Sequence, residues 1–137
     1  MIKQIVHDPF FLGQKSEEAT KADIQTAKDL LDTLAANRSG CVGMAANMIG
    51  IRKRIIVFDN NGEYMTMFNP EIIRKTGEYT TEESCLSLLG GPRRTTRFKT
   101  IKVQYQNERL QTRCRTFSGL AAQIIQHEVD HLDGILI

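Results

Sequence analysis

Leu120-Ala121-Ala122-Gln123-Ile124-Ile125-Gln126-His127-Glu128-Val129-Asp130-His131 is the most informative run in the chain. On a helix, residues four apart share a face, so His127 and His131 stack and can chelate one metal ion. Glu128, beside the first histidine, then reaches a water activated there as a general base. The chain has only three histidines, and two of them are here. The plainer reading is a surface helix with scattered histidines and acids. Against it stands the apolar approach through Leu120, Ala121, Ile124 and Ile125. Two imidazoles and two acids beside such a face are costly to bury unless paired or ligated.

A catalytic ion wants three protein ligands and an open position. Downstream only Leu132–Ile137 remain, and Asp133 is too near in sequence to wrap back. The third ligand is therefore expected upstream, among His7, Cys41, Glu82, Glu83, Cys85 and Cys114. Cys85 ranks first, because Glu83-Ser84-Cys85-Leu86-Ser87 is a short polar-flanked segment before Gly90-Gly91-Pro92 and not a periodic strand. Cys114 falls at an apolar position of an alternating strand. A buried free cysteine is usually structural, which is the plain reading of Cys41 and stays open for Cys85.

Working outward, residues 16–38 read as a first helix, with Thr20 and Asp23 as a capping pair and Ile24, Ala27, Leu31 and Leu34 at helical spacing. The small residues of Cys41-Val42-Gly43-Met44-Ala45-Ala46 suggest backbone running close to something. Arg54–Phe58 reads as a buried strand, Asp59-Asn60-Asn61-Gly62 as a hairpin turn into a strand over Tyr64–Phe68, and Asn69-Pro70 as a further turn. Ile101, Val103 and Tyr105 alternate with polar residues, and after Asn107-Glu108 the alternation resumes as Leu110, Thr112, Cys114 and Thr116. Ser118 caps the last helix, which Asp133-Gly134 closes. This order predicts an α+β fold, with antiparallel sheets packed around a C-terminal metal-binding helix.

Length and composition agree. A chain of 137 residues, 41% hydrophobic and 25% charged, fits one domain spanning residues 1–137 and excludes disordered or collagen-like classes. Eighteen Lys and Arg against 16 Asp and Glu leave +2, too little to argue for nucleic acid or membrane. No apolar run approaches the roughly 18–20 residues of a spanning helix. Met1-Ile2-Lys3-Gln4 opens no signal peptide, and three cysteines make no disulfide framework, so a cytoplasmic location is expected.

Three segments in order resemble the peptide deformylase family. Cys41-Val42-Gly43-Met44-Ala45-Ala46-Asn47-Met48 is similar to its Gly-x-Gly-apolar-Ala-Ala-x-Gln motif, Glu83–Ser87 to its Glu-Gly-Cys-Leu-Ser, and Gln126–His131 to its Gln-His-Glu-x-Asp-His. The resemblance covers nearly the whole chain. It implies a hydrolase that removes the formyl group from N-formylmethionine of newly made polypeptides. It further implies Cys85, His127 and His131 as ligands of one divalent ion, Fe(II) in the cell with Zn, Ni or Co accepted. Glu128 is implied as the proton carrier and the Leu86 N–H as donor to the formyl oxygen. Glu83 and Arg97 become a pair orienting the Cys85 segment, and Val42, Gly43, Leu120 and Ile124, with His127, border the methionine pocket. The implied partner is the N-formylmethionyl peptide, with transient ribosome contact but no membrane and no specific nucleic acid.

Three departures matter. Met48 stands where the family has a Gln that donates to the oxyanion, and a thioether donates no hydrogen bond. Asn47 beside it is expected to point away, as a neighbour in an extended segment does. Ser84 and Cys41 replace glycines, which suits a side chain only where φ is negative. A slower deformylase is the leading reading. The alternatives are a deformylase-like metal-binding paralogue with little activity and a zinc peptidase of other specificity. The cations Arg93, Arg94, Arg97, Lys99, Lys102, Arg113 and Arg115 read as a solvated face or, functionally, as a ribosomal contact.

Overall fold

The computed structural model describes residues 1–137. The elements run α1 (Pro9–Leu12), a 3-10 turn (Lys21–Asp23), α2 (Ile24–Ala36), β1 (Gly43–Ala45), a second 3-10 turn (Ala46–Ile49), β2 (Ile55–Asn60), β3 (Glu63–Glu83), β4 (Arg93–Gln106), β5 (Thr112–Ser118) and α3 (Gly119–Leu132). All five strands join antiparallel in one sheet, in sequence order. The expected α+β fold is therefore a single meander with α2 on one face and α3 on the other.

Strand β2 explains that layering. Its Ile-Ile-Val-Phe run is apolar at every position, as a strand covered on both faces must be. Ile56 and Phe58 pack with Met67, Ile101, Val103 and Phe117 against Ala122, Ile125 and Leu132 of α3. Ile55 and Val57 face Ala27, Leu30 and Leu34 of α2, together with Met44 and Met48. Phe58 and Phe117 meet edge to face at 6.1 Å. Burying each large aliphatic contributes about 1.5–3 kcal/mol, so α3 is held chiefly by Ile125, Leu132 and their neighbours.

Local signals set the element ends. Thr20 and Asp23 form the predicted capping box, with Thr20 N–H donating to Asp23 at 2.8 Å. The helix starts there and not at residue 16, because residues 16–19 run extended and Glu17 bridges to Lys53. The Asn61-Gly62 hairpin has φ of 55° and 98°, the left-handed pair that such a turn requires. Asn69-Pro70 is not a turn. β3 runs straight through it with an irregular register between Phe68 and Glu71, Asn69 taking φ 52°. Ser118 precedes α3 without capping it through its side chain, and its hydroxyl instead meets Thr100 at 3.2 Å.

Edge strand β5 reverses the expected phase. Phe117 is its one buried residue, and Cys114 is exposed. The aromatic ring, the only large apolar group in the strand, decides which face turns inward.

The close approach anticipated for the 41–46 segment occurs at Gly43. A Cβ there would lie 2.6 Å from Ile124 Cγ2 and 3.0 Å from Glu128 Oε2. The absent side chain lets α3 lie directly on β1. Gly43→Ala is expected to lower stability by about 1–3 kcal/mol through overpacking, read as a shift in the urea midpoint at unchanged m-value.

A candidate metal centre between helix α3 and the β3–β4 turn

The imidazoles of His127 and His131 converge as the four-residue spacing requires, with their Nε2 atoms 3.0 Å apart. Cys85 lies in the turn that follows β3, and its Sγ joins them, all three donor atoms lying within 4.8 Å of one another. Two imidazole nitrogens and one thiol sulfur, largely buried, suit a divalent transition-metal ion with a position left open. His7, Cys41, Glu82 and Cys114 are not in this group. The Nδ1 of His7 meets the Ser87 carbonyl at 3.1 Å, and the Cys41 thiol donates to the Gly43 carbonyl.

Glu83, a candidate ligand by sequence, lies outside the three-donor group and holds His127 instead. Its carboxylate accepts from His127 Nδ1 at 2.7 Å, from Arg97 Nη2 at 2.7 Å and from Gln123 Nε2 at 2.9 Å. Arg97 also donates to Asp130 at 2.7 Å, and it is buried between the two carboxylates, not part of the solvated basic face expected for it. This bears the His127 proton on Nδ1 and turns Nε2 towards the metal position. Gln126 ties α3 to β4, accepting from Phe98 N–H and donating to the Phe98 carbonyl, both at 2.9 Å. The expected Glu83–Arg97 pair is present. Gln123 and Asp130 complete it, Asp130 from within the Gln126–His131 segment.

Burial alone would raise the Glu83 carboxyl, but the hydrogen bonds from His127, Arg97 and Gln123 outweigh it and hold the group at about 2. Burial pulls His127 down, yet hydrogen bonds to Cys85 and Glu83 push it up to about 10. His131, buried and beside the charge of His127, falls to about 3 and stays neutral. Glu128 is raised to about 7, mainly by burial. Its Oε1 has no partner.

A cavity of about 500 Å³ opens beside these groups. Val42, Gly43, Leu120 and Ile124, the four expected pocket residues, all line it, as do Leu86, Glu128 and Met48. Met48 is buried in the second 3-10 turn and accepts the Ala45 N–H at 3.5 Å through its sulfur. Asn47 is not in an extended segment but in that same turn, and its amide donates to the His131 carbonyl at 3.0 Å. Neither Cys41 nor Ser84 has positive φ, so both side chains are accommodated without left-handed strain. The Arg38–Gly40 rim of the cavity went unpredicted, since only the fold brings the end of α2 to it.

Comparison with known proteins agrees with this arrangement. A model of the polypeptide deformylase family matches residues 2–137. A peptide deformylase from Clostridium beijerinckii is 55% identical over the whole of both chains. One from Heliobacterium modesticaldum is 38% identical over 91% of this chain and 83% of that one. The crystal structure of peptide deformylase from Thermotoga maritima superposes with a TM-score of 0.88 at 32% identity, covering 99% of this chain and 95% of the other. A Met-Ala-Ser-bound class I type b peptide deformylase from Acinetobacter baumannii gives 0.87 at 28% identity, covering 99% and 96%.

Two outcomes are expected. At neutral pH a divalent ion must displace the Nε2 proton of a doubly protonated His127, so loading should release protons, seen as a buffer-dependent heat in titration calorimetry, and affinity should fall as pH drops. The Arg97 and Glu83 side chains are only 5% and 7% exposed, so Arg97→Met strands the Glu83 carboxylate in a dry site, while Asp130, 24% exposed, can turn to solvent. It should cost about 3–5 kcal/mol in urea unfolding. Glu83 is depressed on folding, so its contribution is present above about pH 4.5 and fades as pH falls towards 2. The variant should show a smaller acid-dependent loss, because His127 and Gln123 still hold the carboxylate.

Proposed function

The chain belongs to the polypeptide deformylase family, and we propose from that premise that Cys85, His127 and His131 hold one divalent metal ion with Glu128 as proton carrier beside it. The reaction is removal of the formyl group from N-formylmethionine of newly made polypeptides. The observation that carries the residue assignment is the set of three donor atoms within 4.8 Å, next to a buried carboxylate whose Oε1 has no partner.

A divalent ion held by Cys85, His127 and His131 would polarise the formyl oxygen and lower the pKa of water towards about 7. Glu128 takes the proton of the attacking water, and a carboxyl raised to about 7 suits that task near neutral pH. As the water oxygen bonds to the formyl carbon and the carbon–nitrogen bond breaks, Glu128 passes its proton to the departing amine. Formate and a free methionine terminus result. The Leu86 N–H donates to the formyl oxygen as negative charge develops there. Val42, Gly43, Leu120 and Ile124 receive the methionine arm, and the cavity of about 500 Å³ is of a size for it and the residues that follow. Glu83 and Arg97 position Cys85 and His127 and touch no substrate.

Residues 1–137 act as one catalytic domain. We assign Fe(II) as the resident ion, with Zn, Ni or Co accepted by the same donor set. Acting on new chains places the enzyme in the cytoplasm, with transient ribosome contact through the basic strand residues Arg93, Arg94, Arg113 and Arg115.

Met48 favours a slow variant of this activity, because its buried sulfur accepts a hydrogen bond where a donor is needed. One lost oxyanion donor costs about 10²–10³ in rate. Anaerobically Fe(II)-loaded protein should release formate slowly from formyl-Met-Ala-Ser. Met48→Gln should raise kcat by roughly 10-fold or more, and Glu128→Gln should abolish release with metal still bound. Equal rates for the unsubstituted protein and Met48→Gln would mean that another group supplies the donor. No formate from either, with metal bound, would favour the paralogue reading.

A further inference from the structure

A ligating imidazole needs its second ring nitrogen held, since that contact sets the tautomer and the ring angle. His127 has such a contact in Glu83. His131 is wholly buried, and its Nδ1 has no hydrogen-bond partner. With Nε2 turned towards His127 Nε2 at 3.0 Å, the neutral ring carries its proton on Nδ1, which makes that atom a buried donor without an acceptor.

Asn47 supplies the complementary atom. Its side chain is fully buried, Nδ2 donates to the backbone carbonyl of His131 at 3.0 Å, and Oδ1 has no partner. One amide therefore holds the main chain of the histidine and still has an acceptor oxygen to give. A buried amide oxygen left unsatisfied costs about 1–3 kcal/mol, as does an unsatisfied ring N–H, so joining them relieves both. The other buried acceptors without partners fit less well. Thr66 lies opposite Val57 on the face turned to α2, the Ser16 segment is tied to Leu132 and not to His131, Ser87 sits in the Cys85 turn, and Glu128 Oε1 belongs to the proton transfer above. Asn47 alone among them is bonded to His131 itself.

We propose that Asn47 is the positioning residue of His131. Nδ2 anchors its carbonyl, and Oδ1 accepts the Nδ1–H after a side-chain rotation. Both metal-ligand histidines are then oriented by acceptors of different character, a carboxylate for His127 and a neutral amide for His131. This inference rests on the metal reading of the site. It also makes the second 3-10 turn serve the centre twice, through Asn47 behind the metal position and Met48 on the cavity.

The test is made on the full chain loaded with Zn(II), by proton and nitrogen NMR of the ring N–H groups. The unsubstituted protein should show a slowly exchanging His131 Nδ1–H, with a nuclear Overhauser contact to the Asn47 side-chain amide. Asn47→Ala should abolish that signal, leave the His127 Nδ1–H in place, and weaken Co(II) binding roughly 10–100-fold. Asn47→Ser, which keeps a hydroxyl acceptor, should recover part of the affinity. If Asn47→Ala fails to fold, the contact in the unsubstituted protein decides alone. A His131 N–H without a contact to Asn47, unchanged Co(II) affinity in a folded Asn47→Ala, or the same losses from Ser87→Ala or Ser16→Ala instead would overturn the proposal. Failure of the unsubstituted protein to bind Zn(II) or Co(II) at all would refute the metal site itself, a result distinct from any of these.

Discussion

The Arg97 guanidinium reaches Glu83 at the end of β3 and Asp130 on α3, and through Glu83 it reaches His127. Strand, helix and ligand are thereby fixed to one buried cation. Without it, the 21-residue β3 would have little reason to end where it does, because its distal half is largely exposed and adds almost nothing to either core. Pairing with β4 and the ionic anchor at its tip carry that half out to where Cys85 must be. Buried ion pairs are weak evidence for stability. Here the pair sets position, since the thiol and the imidazoles come from segments that no local interaction joins.

The helix motif was legible because its information is local: a four-residue spacing and an apolar approach need no knowledge of the rest of the chain. The resemblance extended this to Cys85 and to the Glu83–Arg97 pair. Legibility failed where a residue's habit has two structural outlets. Asn69-Pro70 reads as a turn because Asn tolerates left-handed φ and Pro donates no hydrogen bond, but a strand irregularity uses both properties equally well. The distal half of β3 was missed because its alternation is of polar with polar. In β5 the thiol of Cys114 suggested the wrong inward face, and one phenylalanine in the opposite phase overrode it. Gln123 and Asn47 are out of reach of any sequence pattern, because their partners lie 40 and 84 residues away.

Met48 shows how a departure can be structurally silent. Its side chain fills a buried place on the cavity wall and closes a contact within its own 3-10 turn, so nothing in the packing records the change. What changes is the direction of a hydrogen bond: the sulfur can only receive. Under the proposed reading, fold and donor geometry are retained while one contribution to charge stabilisation is removed, and likeness in shape alone does not report on rate.

Strand β5 closes one side of the sheet, and no further strand covers its outer edge. Six of its seven residues are exposed. Such an edge is a template on which a second chain can add, and bare β-edges promote aggregation. Arg113 and Arg115 sit within this strand, with Arg115 lying over the Phe117 ring at 5.0 Å. A second copy approaching in register would have to bring its own arginines against these. The like charges therefore serve as a guard against self-association, a role they fill whether or not any partner ever meets this face.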